Sequence, residues 1–249
     1  EAVISSKQKL SYHDVSNYLL DPSTKPTTCH NHSVNLTNLQ NLSDALRSHR
    51  KINNLVHQGR PNFRLLLDNK KKLDAIDEAI KTPAHVLVEE CMVAANRCAS
   101  DLLGNHGVFI THAGFRKERR SDVKKLAQEQ LGIDELDPSS LDDYRKIMRA
   151  AESSDTDFPI YSILSRLLER SRLSCESAPH FGMGISSYTT FTSPIRKYSD
   201  FLAHRIIKQI LRSDKTTIPD QTTLDSIQNT LDMANAARHQ VEQQLKCQF

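Results

Sequence analysis

Apolar side chains recur at helical spacing over most of the chain, and polar or proline-containing stretches separate the periodic segments. This pattern predicts a short helix at 11–20 and longer ones at 34–54, 83–103, 119–130, 140–151, 159–170, 193–212 and 222–247. Strand-like patterns fall within 2–12, 63–67 and 108–112, and 21–33 is predicted to be a loop. A helix-rich chain with a few strands is typical of the α+β class.

The clearest early helix follows Thr82 and Pro83, which supply an N-cap and a first-turn proline. Its apolar positions recur every three or four residues up to Gly104 and predict one buried stripe. The stripe comprises Leu87, Cys91, Ala94, Cys98 and Leu102. We interpret its two cysteines as small core residues rather than a redox pair.

Composition narrows the function classes. The 249 residues are enough for one large domain or two small ones, and one domain is the simpler interpretation. Lys and Arg number 33 against 30 acidic residues, so the net charge of +3 does not identify a nucleic-acid binder and any basic site must be local. The apolar runs are far too short for a membrane span, which argues against a membrane partner. Five cysteines without a CxxC pair fit reduced thiols, so we predict a cytoplasmic protein with no disulfide-linked partner.

Candidate chemistry concentrates in residues 178–205. Two of only seven glycines, Gly182 and Gly184, fall here, where bare backbone is able to approach a ligand closely. Further along, Ser193 and Pro194 are typical of a helix start, with the serine as cap and the proline in the first turn. The free N–H groups at such a helix end bind anions.

Arg196 and Lys197 fall in the first turn of this predicted helix, where cations oppose the helix dipole. A phosphate is the obvious partner for them, because an arginine fork and helix N–H donors grip its oxygens together. Arg196, Asp200 and His204 recur every four residues, so Asp200 is placed to orient both neighbours. The alternative is a solvated face with ordinary i,i+4 pairs. The predicted buried stripe of this helix comprises Ile195, Tyr198, Leu202, Ile206 and Ile210.

The segment FTSPIRKYSD (191–200), followed by His204 and Arg205, resembles the signature of the ribonuclease II/ribonuclease R exoribonucleases. HFGMG (180–184), with Tyr188 after it, fits the same block. The resemblance extends to ISSKQKLSYHDV (4–15), RPNF (60–63), VEECMVAAN (88–96) and VEQQLKCQF (241–249). It therefore covers essentially the whole chain, which we identify as the C-terminal portion of an RNB-type catalytic domain.

This resemblance implies an activity. Members of the family remove nucleotides one at a time from the 3′ end of single-stranded RNA and release nucleoside 5′-monophosphates by metal-assisted attack of water. It therefore implies single-stranded RNA as partner and Mg²⁺ as cofactor, with an arginine stabilising charge on the phosphate oxygens. By position, Arg196 matches the family's catalytic arginine. The RNA-binding residues expected around it are His180, Tyr188, Thr192, Ser193, Lys197, Tyr198, His204 and Arg205.

Three positions further from this block bear on RNA contacts. Glu89, in the matched VEE motif, is expected to line the RNA channel, and the alternative is an ordinary exposed helix glutamate. His57 stands near the position where some relatives carry a phenylalanine that stacks on bases, and an imidazole offers a smaller stacking face. Arg238 falls about where one branch of the family places a functional glutamate, and we assign it no role.

The family's metal-binding aspartates belong to an Asp-rich motif upstream of the strand-like segment that opens this chain, so we expect no metal ligand here. LDPSSLDDY (136–144) superficially resembles that motif, but Asp142 and Asp143 are more simply first-turn acids after a serine cap. We also expect the flanking OB-fold domains to be absent. On this interpretation, residues 1–249 are one portion of a single catalytic domain and are inactive in isolation.

A rival interpretation is a non-catalytic RNA-binding protein that keeps the channel scaffold. Two other clusters are interpreted as structural. Cys29, His30 and His32 lack the second ligand cluster of a zinc site, and RKERR (116–120) is typical of a solvated charge run.

Overall fold

The computed structural model describes residues 2–21, 23, 27–56, 63–70, 72–78, 80–155, 158–213 and 218–246. The helices within these ranges are α1 (Tyr12–Leu20), α2 (Thr27–His30), α3 (Ser33–Asn53), α4 (Pro83–Leu103), α5 (Arg120–Leu131), α6 (Leu141–Glu152), α7 (Ile160–Arg166), α8 (Tyr198–Leu211) and α9 (Gln221–Lys246). The strands are β1 (Phe63–Leu67), β2 (Leu73–Glu78), β3 (Phe109–Thr111) and β4 (Arg172–Ser174). This helix-rich fold with a few short strands confirms the α+β class.

The strands form two small antiparallel sheets. β1 pairs with β2, with Phe63 opposite Glu78, and β3 pairs with β4, with Ile110 opposite Leu173. The sequence pattern predicted β1 and β3 but not their partners. β2 contains three acidic residues in six, a composition that is depleted in strands, and β4 is too short to show a period.

Capping residues set two of the predicted helix starts. The Ser11 hydroxyl accepts a hydrogen bond from the Asp14 N–H at 3.0 Å at the start of α1. Ser140 caps α6 through the Asp143 N–H at 3.5 Å. Both caps lie at the predicted positions because capping depends on neighbours within one turn.

The predicted strand at the beginning of the chain is wrong. Residues 2–11 have no regular secondary structure, and Val3 and Ile4 are exposed. A strand-like pattern forms a strand only where another strand satisfies its backbone groups. The predicted loop at 21–33 is also interrupted by α2.

The predicted stripe of α4 is only partly correct. Leu87 is buried, but Cys98 and Leu102 are exposed. Several polar residues lie on the buried face instead. The periodicity of apolar residues does not predict that polar residues are buried. The buried residues of α4 are Ala84, Leu87, Glu90, Val93, Asn96, Ala99, Ser100 and Leu103.

The chain divides into two compact units. The first contains residues 1–52 and 56–94, and the second contains 53–55 and 95–249. The core of the first unit comprises Val15, Tyr18, Cys29, Leu36 and Ala84.

A charged cluster is buried in the first unit. The Glu90 carboxylate is fully buried and accepts hydrogen bonds from Arg50 at 2.8 Å and from Arg47 at 3.3 Å. The neighbouring Glu89 is part-exposed and pairs with the part-exposed Lys81. Adjacent glutamates therefore have opposite environments, which sequence alone did not distinguish.

We expect Glu90→Ala to lower the free energy of unfolding by roughly 3–5 kcal/mol, because it leaves the buried Arg50 guanidinium without a counter-charge. Glu89→Ala is the matched control, and its part-exposed pair is worth less than about 1 kcal/mol. Urea unfolding of both variants measures the difference. Equal stability of the two variants would contradict the assignment.

The second unit has two apolar clusters. One centres on α5, α6 and α7 and includes Phe115, Tyr144, Ile147, Leu164 and Phe181. The other joins the end of α4, β3, β4, α8 and α9 and includes Leu103, Phe109, Leu173, Leu202, Ile206 and Leu224. Leu202 and Ile206 are buried as predicted. Among the described helices, none is both long enough and apolar enough to cross a membrane.

Candidate nucleic-acid interface

The segment 188–191 leads into the residues that contain the predicted catalytic Arg196, and hydrogen bonds hold it in place. The Ile110 N–H donates to the Tyr188 carbonyl at 2.8 Å. The buried Thr189 hydroxyl donates to the Val108 carbonyl at 2.7 Å. These bonds tie the segment to β3 and the residue before it.

Asn96, buried on α4, holds both ends of that segment. Its side-chain nitrogen donates to the Tyr188 hydroxyl at 2.7 Å, and its side-chain oxygen accepts from the Phe191 N–H at 2.9 Å. The buried amide is thus hydrogen-bonded at both ends. Asn96 was not among the predicted site residues, because a single asparagine inside a helix carries no signal of its distant partners.

Helix α8 begins later than the sequence predicts. Its N-cap is Lys197 rather than Ser193. Residues 194–196 form a turn in which the Arg196 and Lys197 N–H groups donate to the Ser193 carbonyl, at 3.2 and 3.0 Å. The predicted helix start at Ser193 is therefore wrong, and anion binding at this segment stays a prediction. Arg196 and Lys197 precede the helix instead of lying in its first turn.

Asp200 accounts for this displaced start. Its fully buried carboxylate accepts hydrogen bonds from the Ser193 N–H at 2.8 Å and from the hydroxyls of Thr190 at 2.5 Å and Ser199 at 3.1 Å. A carboxylate in the first turn of α8 also complements the helix dipole. Asp200 thus closes residues 190–200 into one loop, which we call the arginine loop.

The predicted row of Arg196, Asp200 and His204 does not pair as expected. Asp200 binds the loop donors, and His204 Nε2 donates to the Phe191 carbonyl at 2.8 Å. The His204 and Phe191 rings also stack, with centroids 3.7 Å apart. His204 and Asp200 therefore support the arginine loop from inside.

The arginine loop presents its cations to solvent. Ile195, Arg196, Lys197 and Tyr198 are all exposed, so the predicted burial of Ile195 and Tyr198 is wrong. In the part of the chain that the structure describes, the side chains of Arg196 and Lys197 make no hydrogen bond or ion pair. Both are accessible to a phosphate group.

The other predicted RNA contacts lie around this loop. Thr192, Ser193 and Tyr188 are half-buried, and the Tyr188 hydroxyl is bonded to Asn96. Arg205 is exposed, and its guanidinium lies over the Phe201 ring at 5.7 Å from the centroid. Their roles in binding RNA stay predictions.

His180 lies inside the second unit. Its Nδ1 accepts a hydrogen bond from the Met183 N–H at 3.2 Å, and its Nε2 lies 3.3 Å from the Ser171 hydroxyl. The His112 ring stacks nearby, with centroids 5.5 Å apart. Burial, reinforced by His112, lowers the pKa of His180 from 6.5 to about 4. These contacts favour a role in positioning the HFGMG segment.

Gly184 of HFGMG has a structural reason. It has a φ of +64°, and a Cβ there would lie 3.0 Å from the Leu55 nitrogen. Close internal packing therefore accounts for Gly184 without a ligand. A Cβ on Gly182 would lie 3.4 Å from both the His112 and His180 rings, which is an ordinary van der Waals distance, so packing does not require a glycine there.

The neutral, buried His180 predicts a pH dependence of stability. Because its folded-state pKa lies below the ordinary value, its contribution is complete above about pH 6.5 and is lost as the pH falls towards 4. We expect a loss of up to about 3 kcal/mol over this window. Urea unfolding from pH 7 to 4 measures it, and His180→Gln should flatten the profile. A wild-type profile that matches the variant's would refute this assignment.

The two remaining predicted RNA contacts are Glu89 and His57. Glu89 belongs to the first unit, where it pairs with Lys81. His57 lies outside the described residues, as do residues 60–62 of the RPNF motif.

No metal centre appears in the described ranges, where no group of three or more His, Cys, Asp or Glu side chains could hold an ion. The acids of 136–144 cap local structure: Asp137 accepts from the Ser139 N–H at 2.9 Å, and Asp142 pairs with Arg145 at 2.7 Å. Asp143 accepts from the Asp137 N–H at 3.0 Å. The interpretation of Asp142 and Asp143 as first-turn acids after a serine cap is confirmed, and with these local partners the aspartates of 136–144 do not fit a Mg²⁺ site.

A family model described as the RNB domain matches residues 1–213. The chain belongs to the RNB domain family, which confirms the resemblance seen in the sequence. Its curated relatives include Exoribonuclease 2 of Cronobacter sakazakii, 32% identical over 228 residues, and Exoribonuclease 2 of Psychromonas ingrahamii, 37% identical over 220 residues. These matches cover 90% and 84% of this chain but 35% and 33% of the relatives. The chain thus spans about a third of their length.

Solved structures share the fold. Mycoplasma genitalium RNase R in complex with ribose-methylated single-stranded RNA superposes with a TM-score of 0.70 and 21% identity, covering 92% of this chain and 38% of that one. Yeast Ssd1, described as a pseudonuclease, gives a TM-score of 0.58 and 21% identity, covering 91% of this chain and 28% of that one. The same fold therefore occurs both in a ribonuclease and in a pseudonuclease.

Proposed function

We propose that this chain is the arginine-bearing portion of a hydrolytic 3′-to-5′ exoribonuclease that degrades single-stranded RNA processively to nucleoside 5′-monophosphates. The observation that carries the proposal is the arginine loop. An exposed Arg196 stands on a loop held by the buried Asp200, within the segment that most resembles the family signature.

Arg196 has a defined task in this proposal. When the scissile phosphodiester is attacked, negative charge increases on its non-bridging oxygens, and a guanidinium stabilises that charge through charge-assisted hydrogen bonds. Lys197 adds positive charge beside it. Asp200 and His204 hold the arginine loop in place before the reaction, so the loop does not have to change conformation when the charge develops.

Mg²⁺ dependence is part of the proposal for the parent protein. The described residues do not form its site, and the resemblance assigns the ligands to an upstream Asp-rich motif. We therefore propose that the isolated chain binds RNA without cutting it. The same proposal places the parent enzyme in the cytoplasm, where its cysteines stay reduced.

A second candidate is a non-catalytic RNA-binding protein. One observation favours it: the fold also occurs in a pseudonuclease. The arginine loop would then grip a phosphate without promoting hydrolysis.

Hydrolysis of a 5′-labelled single-stranded RNA with Mg²⁺ distinguishes the two candidates. The assay compares this chain with the protein extended upstream. Stepwise shortening by the extended protein alone would support the exoribonuclease. Binding without shortening by the extended protein would support the RNA-binding protein instead.

A further inference from the structure

Asn96 on α4 makes a direct hydrogen bond to the arginine loop. Its side chain is buried, and its Oδ1 accepts from the Phe191 N–H at 2.9 Å, while its Nδ2 donates to the Tyr188 hydroxyl at 2.7 Å. Turning the amide over would place its amino group against the Phe191 N–H, so one orientation satisfies both partners. A buried amide on a 21-residue helix is therefore a fixed support for the second residue of the loop.

Phe191 connects this support to the rest of the loop. Its carbonyl accepts from His204 Nε2 at 2.8 Å, and its ring stacks on the His204 ring with centroids 3.7 Å apart. Phe191 is thus held from α4 through its N–H and from α8 through its carbonyl and ring. The hydroxyl of the preceding Thr190 donates to the buried Asp200. The start of the arginine loop therefore has two anchors, the Asn96 amide on α4 and the side chains of Asp200 and His204 on α8.

The contact at the other end of Asn96 lies outside the arginine loop. The Tyr188 carbonyl is held separately, because it accepts a hydrogen bond from the Ile110 N–H at 2.8 Å. The backbone of Tyr188 thus keeps its position against β3 without Asn96. Removal of the Asn96 amide is therefore expected to release Phe191 rather than Tyr188.

We propose that Asn96 is a positioning residue for RNA hydrolysis. It holds Phe191, and through Phe191 the arginine loop, on which the Arg196 guanidinium meets the scissile phosphate. This inference rests on the proposed function, because it assigns Asn96 a task only through Arg196. Asn96 is buried and does not touch the RNA, so its loss should lower kcat and leave KM nearly unchanged. Binding of a strand is shared among several contacts, whereas stabilisation of charge depends on the position of one group.

The test measures hydrolysis of a 5′-labelled single-stranded RNA with Mg²⁺ by the protein extended upstream. Asn96→Ala should lower kcat roughly 10- to 100-fold with KM within about twofold of wild type, because a displacement of about 1 Å at a reacting group costs on the order of 100-fold. Asn96→Asp should recover most of the rate, since its side-chain oxygens accept from both the Phe191 N–H and the Tyr188 hydroxyl. In a protein that already carries Arg196→Ala, Asn96→Ala should cause no further loss.

Ser100→Ala is the matched control. Ser100 lies one turn after Asn96 on α4, is also buried, and has its hydroxyl 2.6 Å from that of Ser187. The variant loses a buried side-chain hydrogen bond on the same helix but no contact with the arginine loop. It should also lower the urea midpoint of unfolding, and it should leave kcat at the wild-type value.

A second readout uses this chain by itself. Amide hydrogen exchange followed by NMR reports whether the Phe191 N–H is hydrogen-bonded, and it needs neither RNA nor activity. Asn96→Ala should accelerate this exchange by about tenfold or more, whereas Asn96→Asp and Tyr188→Phe should keep it slow. If Asn96→Ala does not fold, Asn96→Ser takes its place in both tests, because the shorter side chain is unable to reach both partners.

Unchanged kcat in Asn96→Ala, measured in an extended protein that hydrolyses RNA, would overturn the inference and leave the proposed function intact. Equal losses of kcat in Asn96→Ala and Ser100→Ala would assign Asn96 to stability alone, and a change in KM instead of kcat would assign it to binding. Either result would also overturn the inference, as would fast exchange of the Phe191 N–H in the wild-type chain. An extended wild-type protein that does not hydrolyse RNA would overturn the proposed function first, and this inference with it.

Discussion

Replacing Arg196 by alanine in the protein extended upstream is expected to lower kcat for hydrolysis of single-stranded RNA by about 10²- to 10³-fold, the size of effect seen when one transition-state stabilising group is lost. The reason is that the exposed Arg196 guanidinium on the arginine loop is the group proposed to stabilise charge on the phosphate oxygens. Because it has no side-chain partner among the described residues, the free energy of unfolding should stay within about 0.5 kcal/mol of wild type. Single-turnover hydrolysis and urea unfolding measure the two quantities.

Arg170→Ala provides the control, because Arg170 is also an exposed arginine of the second unit but lies outside the arginine loop. Its kcat should match wild type. Arg196→Lys keeps the charge but loses the planar fork, so it should recover only part of the rate. A kcat of Arg196→Ala within a few-fold of the wild-type value would show that Arg196 has no catalytic role.

Replacing Asp200 by alanine is expected to lower both stability and activity. The Ser193 N–H and the Thr190 hydroxyl would lose their buried acceptor, at a cost of about 2–4 kcal/mol in the free energy of unfolding. A displaced loop moves Arg196, and a shift of about 1 Å at a reacting group costs on the order of 100-fold in rate. We expect kcat to fall by about this factor.

Asp200→Asn tests whether the effect depends on geometry. An asparagine oxygen accepts from Ser193 while its amino group faces the hydroxyls of Thr190 and Ser199, which are able to accept, so most of the rate should return. If Asp200 acts through Arg196, Asp200→Ala should not reduce kcat further when Arg196 is already alanine. Additive losses in this double variant would show that Asp200 acts independently of Arg196.

The sequence predicted most helices well where the signal is local. α3, α5, α6 and α9 lie within a residue or two of their predicted bounds, because each has a sustained apolar period or a capping residue. β2 and β4 were missed, since pairing with a distant strand rather than local pattern makes them strands.

The site shows the same division. The family signature singled out the segment containing Arg196, and the structure shows that this arginine is exposed. The Ser193 cap failed because Asp200, seven residues further on, takes the Ser193 N–H and holds the segment as a loop. The burial of Asn96 and Glu90 was also not predicted. The sequence does not show whether a polar residue is solvated or hydrogen-bonded in the interior.

The sequence by itself therefore determined the family, the helix-rich class and the location of the arginine segment. These follow from periodicity, caps and a contiguous motif, all of which act between near neighbours. Only the tertiary structure decided where α8 begins, which polar groups are buried, and that Ile195 and Tyr198 are exposed. The start of α8 depends on the buried Asp200, which binds donors beyond the reach of a helix cap, and the burial of Asn96 and Glu90 depends on partners far away in the chain. No local pattern encodes the free energies of these contacts.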